Sequence, residues 1–505
     1  MHIACINPQG NFDPADSHWT AHPDFGGQLV YVKQLALAME SLGHRVDIIT
    51  RQIIDPKWPE FADRIDGYPD HPNIRVLRFP CGPPYFLPKE ELWPYLRGWV
   101  GHIIQWYRSE NSQPDVCMGH YADGGLCSAL LQEQMGIPFT FTAHSLGAWK
   151  LDRLLETESG CAPGQTVGAG VLMPLETRYS FGARIPAEQS SMARAGVIIA
   201  STAEERDQQY RHPAYREIAG ADGEQRISVV PPGVDHAIFD LNTRSPSEEE
   251  VRQAIHVALD RDIAPERRNL PAVIAWSRLD PKKNYLGLIQ AFARSPVLRS
   301  RANLILITRG LEDPLHHPDA ASANEQQVLL PMIDETDRYD LWGAVSAFHL
   351  AGQDAAAALY RWGTETGAVF CLPAEHEPFG LSLIEAMATG LPVVATSHGG
   401  PQETTDGGWA GLLADPHDPE EIAEQLLRLI ADPEAWNRYA ARGRARAIQL
   451  YSWEQTAAGY LRLVDEVLRR ERGGDLSFPL PAFIASDDHP QLPTLGNWQL
   501  GTTVH

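Results

Sequence analysis

Short apolar runs alternate with amphipathic segments along almost the whole chain, and this alternation restricts the fold more than any other feature. His2 to Asn7 reads as a strand. Gln28 to Leu42 reads as a helix with Leu29, Val32, Leu35, Ala36 and Met39 on one face, and Val46 to Thr50 follows as a strand after the stop at Gly43. Strands joined through helices in this way make a parallel sheet covered on both faces. Further strands are predicted at 74–78, 116–119, 139–143, 197–201 and 227–230. A polar stretch at 242–250, with Pro246 in it, interrupts the rhythm, which resumes at 271–277, 302–308, 344–350, 369–372 and 392–395. Two Rossmann-like, doubly wound α/β halves joined near residue 240 are the simplest account. Each would present ligand-binding loops at its strand C-termini toward a central cleft.

The expected domains are therefore 1–240 and 241–450, followed by a last helix within 451–472. Trp453 to Arg470 carries the helical pattern, with Ser452 as N-cap. Residues 473–505 are Pro-rich and polar and read as a loosely packed tail laid on the surface. Residues 152–182, rich in Gly, Ser, Thr and Glu, break the rhythm and read as an inserted loop or irregular helical segment. His120 to Gly125 reads as a polar loop after a strand.

The 505 residues include 65 acidic and 42 basic side chains, a formal charge of −23. Nucleic acid and anionic membrane are disfavoured as partners, while a local basic pocket for an anionic small molecule is not. The six cysteines have no CxxC spacing and lie mostly in apolar runs, as buried thiols in a reducing compartment do. Met1 leads directly into a strand-like run, and no apolar run approaches the ~18 residues of a membrane span. A cytoplasmic protein is expected.

Three segments carry chemistry. In Glu377-Pro378-Phe379-Gly380-Leu381-Ser382-Leu383-Ile384-Glu385, two glutamates flank a strand-loop-helix turn. The free N–H groups of such a helix start bind phosphate, and the carboxylates accept hydrogen bonds from sugar hydroxyls. A plain surface helix with acidic residues near its positive end fits the segment alone equally well. Pro23-Asp24-Phe25-Gly26-Gly27-Gln28 puts two glycines at a helix start, where a ligand can approach the backbone closely. It is not GxGxxG, so a dinucleotide fingerprint is absent. Ser277-Arg278-Leu279-Asp280-Pro281-Lys282-Lys283-Asn284 places Arg278 and Lys283 at a strand end, suited to a diphosphate whose negative charge grows as it departs.

Other candidates are more diffuse. His144-Ser145-Leu146-Gly147-Ala148-Trp149-Lys150 follows a strand, and Lys89, Arg178 and Arg184 supply further cations. Each of those three alone is an ordinary surface charge. His316-His317 sits in a Pro- and Asp-containing loop, and there is no HExxH, no GxxxxGK[ST] and no Ser/His/Asp elbow. No metal site is read from these motifs.

Together these residues resemble the retaining GT-B glycosyltransferases: Glu377 with Glu385, Arg278 with Lys283, Gly26-Gly27, and Pro231-Pro232-Gly233-Val234-Asp235 as an interdomain segment. Within that class the chain is similar to the short bacterial sucrose-phosphate synthases. The likeness is carried by 7–13, 24–33, 86–96, 144–150, Arg184-Ile185-Pro186-Ala187-Glu188 and 277–284, and spans about residues 1–470. The resemblance implies two Rossmann-like domains facing a cleft, with the last helix returning to the N-terminal one. It implies UDP-glucose as donor in the C-terminal domain and fructose 6-phosphate as acceptor in the N-terminal domain, with no tightly bound cofactor and no metal requirement.

On this likeness the catalytic set is His144, Arg278, Lys283 and Glu377. Donor contacts come from Gly26, Gly27, Arg278, Lys283, Glu377, Phe379, Gly380, Leu381 and Glu385, with Glu385 on the ribose. Acceptor contacts come from Gly26, Gln28, Lys89, Tyr121, Ser145, Lys150, Arg178 and Arg184. One departure stands out: relatives commonly carry two arginines before the Ile of the RIxxE motif, whereas here Ala183 precedes Arg184. The phosphate clamp is weakened, or Arg178 replaces the missing cation. The same motifs serve related transfers: a GDP-mannose-dependent mannosylfructose-phosphate synthase, a sucrose synthase using free fructose, or a glycosylated-glycerate synthase. A nucleotide-sugar epimerase or hydrolase, or a non-catalytic sugar-phosphate sensor, is a more distant alternative.

Overall fold

A computed structural model describes residues 1–19, 24–220, 226–308, 310–485 and 492–501. Pro23 of the first glycine-rich turn, and 486–491 and 502–505 of the tail, lie outside them. The chain forms two compact units, Met1–Pro231 with Thr456–His505, and Pro232–Gln455. The first division falls at Pro231/Pro232, ahead of the junction expected near 240.

The first unit is built on an eight-stranded sheet. Its spatial order is Ile65–Tyr68, His71–Pro80, Arg45–Gln52, His2–Ile6, Val116–His120, Phe139–Thr142, Val197–Ala200 and Ile227–Val229. All neighbours are parallel except the first pair, an antiparallel hairpin at the edge. The hairpin was not predicted, because Gly67 and the Pro69-Asp70 turn hide so short a strand. Ile3, Ala4, Cys5 and Ile6 are all fully buried, as a central parallel strand covered on both faces requires.

Two segments differ from expectation. Residues 152–182 hold no long loop: helices Gly147–Ser159 and Ala169–Tyr179 flank a short strand, Thr166–Gly168. The segment at 120–125 is the start of helix Tyr121–Met135 and is buried from Ala122 to Leu131. Gly124 is there for packing, since a Cβ would lie 2.3 Å from the Ile6 carbonyl oxygen. A helix buried all round has no polar stripe, so its periodicity does not announce it.

The tail also departs from expectation. Strand Asn497–Gln499 pairs antiparallel with Thr166–Gly168, and Phe483, Ile484 and Leu500 join the main core of the first unit. Asp152 accepts hydrogen bonds from Trp498 Nε1 at 2.6 Å and Gly501 N at 2.7 Å, and His212 Nε2 lies 2.8 Å from its Oδ2. Few apolar residues therefore suffice to anchor a Pro-rich, polar segment. Helix Trp453–Leu468, capped where Ser452 Oγ accepts from Gln455 N at 3.2 Å, carries the chain back into this unit.

The second unit has six parallel strands in the order Val345–His349, Asn303–Thr308, Ala272–Trp276, Val369–Leu372, Val393–Thr396 and Leu412–Ala414. The last, three residues long, was not predicted. Alternation along the central strand sends Val273 and Ala275 into one apolar layer and Ala272, Ile274 and Trp276 into the other. Among the described residues no helix is long and apolar enough to cross a membrane. The six cysteines are free thiols, and all but Cys161 are buried.

Candidate functional site

In the second unit, four loops leave the C-terminal ends of neighbouring strands and are tied to one another. The first begins at Ser277. Tyr285 Oη accepts from Ser277 N at 2.6 Å and donates to the Ile307 carbonyl at 2.9 Å, which anchors the segment carrying Arg278. Asp280 caps the short turn Pro281–Lys283 by accepting from Lys282 N at 3.0 Å. Asn284 then takes a left-handed backbone, φ +54°, and its Oδ1 accepts from Gly287 N at 3.1 Å to start helix Tyr285–Arg294. Its Nδ2 donates to the carbonyls of Pro373 at 3.0 Å and Pro416 at 2.8 Å, fastening three loops at once.

The Glu377 loop is held by backbone. Glu375 N donates to the Lys282 carbonyl at 2.9 Å, Glu377 N to that of His398 at 3.2 Å, and Gly400 N to that of Glu377 at 2.9 Å. A Cβ on Gly400 would lie 2.3 Å from the Pro378 oxygen, so only glycine allows the two loops to touch. Gly380, at φ +91°, leads into helix Leu381–Ala388, whose first N–H groups are aligned as the motif predicts. Phe379 is buried against the edge of Tyr451, with centroids 5.6 Å apart. Glu385 sits half-buried one turn into the helix.

Within this frame Lys283 Nζ donates to Glu377 Oε2 at 2.7 Å, joining residues 94 apart in sequence. Both remain partly accessible, at 27% and 14%. The ammonium and the carboxylate predicted to serve a diphosphate and a sugar thus share one edge of the sheet. Arg278 is half-buried at the head of the same loop.

In the first unit two polar groups, His120 and Arg184, are buried. His120 ends strand Val116–His120, and its Nδ1 lies 3.0 Å from Nε2 of His144, with the rings stacked 5.2 Å apart. His144 has a left-handed backbone, φ +56°, which a non-glycine residue keeps only where its surroundings enforce it. The edge of Tyr31 packs on it at 4.8 Å, and Tyr31 Oη lies 2.7 Å from Tyr460 Oη on helix Trp453–Leu468. Burial pushes His144 down to about 3, and burial with the neighbouring His144 holds His120 well below the usual 6.5, so both rings are neutral at pH 7. Sequence reasoning missed His120, Tyr31 and Tyr460; only their assembly across the fold reveals them.

Arg184 is also placed unlike an open phosphate clamp. It is 4% exposed; its Nε donates to Glu188 Oε1 at 2.8 Å, and its Nη2 to the Ser145 carbonyl at 2.7 Å. The guanidinium stands over the Tyr121 ring at 4.7 Å. Burial opposes its charge, but Tyr121 and Glu188 outweigh that and keep it protonated. Glu188 also accepts from Gly147 N, at 2.9 Å, and from Tyr215 Oη. Arg184, Ser145 and Tyr121 therefore do come together, with Glu188 of the RIxxE motif paired to Arg184.

The remaining cations are scattered. Lys89 Nζ donates to Asp24 Oδ1 at 2.7 Å, and this pair sits beside the turn of Gly26, Gly27 and Gln28. Gln28 donates to Asn7 Oδ1. Lys150 Nζ stands 3.7 Å from the Tyr179 ring centroid, and Arg178 flanks the same ring at 4.8 Å. Arg178 is 59% exposed and paired with Glu158 at 3.3 Å, a surface arrangement worth little. Arg51, not singled out from sequence, is 2% exposed over the Phe86 ring, and among the described residues its Nε and Nη2 have no hydrogen-bond partner.

Comparison with known proteins adds the following. Residues 258–446 match the family described as glycosyl transferases group 1, and residues 26–233 the glycosyl transferase 4-like domain. A probable sucrose-phosphate synthase of Thermosipho melanesiensis is 36% identical over 466 residues, covering 92% of this chain and 97% of that one. The sucrose-phosphate synthase of Zea mays is 33% identical, covering 92% of this chain but 47% of its own length. Thus the chain spans nearly all of the bacterial relative and about half of the plant one. Among solved structures, the sucrose-phosphate synthase of Thermosynechococcus elongatus superposes with a TM-score of 0.70 at 24% identity, covering 93% of this chain and all of that one. HepE of Anabaena, solved with UDP-glucose, gives 0.60 at 18% identity over the same share. At these identities the structural matches establish the fold.

Proposed function

The chain belongs to the sucrose-phosphate synthase family of glycosyltransferases, and from that premise we propose that it transfers glucose from UDP-glucose to fructose 6-phosphate. The products are sucrose 6-phosphate and UDP, and the anomeric configuration is retained. The observation that supports this reading is the Lys283–Glu377 contact at 2.7 Å, a cation and a carboxylate side by side at the strand ends of the second unit.

Lys283 and Arg278 hold the donor diphosphate and stabilise the negative charge that grows on it as the glycosidic bond breaks. N–H groups around Gly380 and Leu381 contribute at the helix start. Glu377 accepts from hydroxyls of the transferred sugar, and Glu385 from those of the ribose. The bond from the anomeric carbon to the donor phosphate oxygen breaks and one to the acceptor oxygen forms on the same face. The acceptor proton passes to the departing phosphate oxygen, so no side-chain nucleophile takes part. His144, neutral and held by His120 and Tyr31, offers a ring nitrogen to a sugar hydroxyl. Gly26, Gly27, Gln28, Lys89, Tyr121, Ser145, Lys150 and Arg184 shape the acceptor side.

A second reading rests on one observation: Arg184 is already neutralised by Glu188 at 2.8 Å, which favours an unphosphorylated fructose. The two are separated by incubating the protein with UDP-glucose or GDP-mannose, each with fructose 6-phosphate, fructose or no acceptor, and measuring nucleotide release. Release of UDP only with fructose 6-phosphate supports the first reading. Equal rates with fructose overturn the phosphorylated acceptor, and release without acceptor overturns the transferase reading.

A further inference from the structure

On the same sheet edge of the second unit, a cluster outside the substrate set has the make-up of a metal centre. Strands Val393–Thr396 and Leu412–Ala414 are parallel neighbours in a register that pairs Thr396 with Ala414. Ser397 N donates to the Ala414 carbonyl at 2.8 Å, so the two chains leave the sheet together. His398 follows one strand end; Asp415 and His417 follow the other. One ligand atom from each of these three residues lies within 4.8 Å of the others. Ligands of a tetrahedral zinc ion, at 2.0–2.1 Å from the metal, stand about 3.3 Å apart, so modest side-chain rotation completes the geometry.

The hydrogen bonds around the cluster prepare it. His398 Nδ1 lies 3.1 Å from the Glu375 carbonyl. A carbonyl only accepts, so Nδ1 carries the proton and Nε2 keeps its lone pair, an arrangement common to metal-binding histidines. Asp415 Oδ1 accepts from His417 N at 2.9 Å, which fixes the carboxylate. The neighbouring Asp418 is occupied as a helix cap, accepting from Glu421 N at 3.0 Å. His398 and Asp415 are half-buried and His417 is exposed, leaving the remaining coordination positions to solvent.

A second cluster, Asp262, Asp313 and His316, provides a contrast. There Asp262 is taken by Arg261 at 2.6 Å and Ser346 at 2.6 Å, and Asp313 by His316 Nδ1 at 2.8 Å, so both carboxylates are already paired within the protein.

We propose that His398, Asp415 and His417 bind a divalent cation of the zinc class, and that the bound cation fastens the loop that carries Glu377. Two imidazoles and one carboxylate select zinc, cobalt or nickel over magnesium, which prefers an all-oxygen octahedron. The link to Glu377 is direct, because its N–H donates to the His398 carbonyl. That link would matter for catalysis only on the donor reading above; cation binding and loop ordering do not depend on it.

The test uses the full chain, stripped with a chelator and assayed without substrates. Zinc is titrated calorimetrically, cobalt(II) by its visible absorption, and amide hydrogen exchange of 375–380 is followed with and without zinc. The expected result is one zinc per chain, a low-coordinate cobalt spectrum, and slower exchange at 375–380. Affinity should fall at least about tenfold in His417→Ala, whose exposed side chain leaves the fold intact, and in His398→Ala, and be unchanged in His316→Ala. Absence of binding, binding that survives His417→Ala, equal loss in His316→Ala, or zinc binding without slower exchange overturns the proposal. Failure of the donor reading would show in the transfer assay and leave these measurements untouched.

Discussion

The two sheet edges to which donor and acceptor binding are proposed have opposite construction. In the second unit, short loops hold Arg278, Lys283 and Glu377 through backbone bonds and one side-chain amide, Asn284, and the Lys283–Glu377 pair stays open to solvent. In the first unit, helices and distant segments enclose the polar groups: Arg184 on Glu188, and His144 on His120 and Tyr31, with Tyr460 behind. An open edge suits a flexible, highly charged diphosphate. An enclosed one suits discrimination among small sugars, where an unmatched buried polar group is costly.

The largest effect that sharpens this contrast should come from the tail. Deleting residues 474–505 exposes the pocket of Phe483, Ile484 and Leu500 and leaves Asp152 with His212 alone. At about 1.5–3 kcal/mol per buried side chain, the first unit should lose about 5 kcal/mol. Urea melts of full and truncated chains measure this. An unchanged midpoint would show that the tail is not part of that core.

Lys283→Ala should come next, lowering turnover about 10²–10³-fold, or about 3–4 kcal/mol in the transition state, with little change in melting temperature. The partly exposed pair itself contributes little to stability. A large fall in melting temperature with turnover intact would reverse the roles assigned to the open edge.

Glu188→Gln should behave in the opposite way, because it leaves the Arg184 charge buried without its partner. Stability should fall by about 3 kcal/mol, and the KM for acceptor should rise more than that for donor. Arg184→Ala should weaken a phosphorylated acceptor more than an unphosphorylated one; equal losses would remove it from the phosphate site.

The smallest effect is in pH. The folded forms of His120 and His144 are held well below the usual 6.5, so unfolding takes up protons and stability from this pair is lost as pH falls below 6.5, for His144 down to about 3. Burial raises Asp123 to about 6 and Glu205 to about 7, and their cost is relieved over much of the same range. Asp47, whose burial is outweighed by His2 and Arg75, is held at about 2, and its contribution is lost below the usual 3.8. Stability of the first unit should be nearly level from pH 6 to 5 and fall steeply below about 4. Denaturant melts across this range, with hydrogen exchange assigning the transition to a unit, check both the shape and the location.

The same contrast explains what could be read from the sequence. Parallel strands buried on both faces appear as apolar runs, so the two sheets and nearly all their strands were legible. The second unit's candidate residues lie in contiguous motifs, so Lys283 and Glu377, which the fold brings into contact, could be proposed from local spacing. The first unit's candidate residues are single side chains on separate elements, and His120 was hidden because Gly124-Gly125 imitates a turn while serving helix packing. The cluster of His398, Asp415 and His417 was invisible for a related reason. Its members are brought together by strand register, not by spacing along the chain.

The most direct test of the central claim is NMR identification of the product formed from UDP-glucose and fructose 6-phosphate. The account predicts an α-linked glucosyl fructose phosphate appearing in step with UDP. A β-linked product, or free glucose released at the same rate without acceptor, would contradict it.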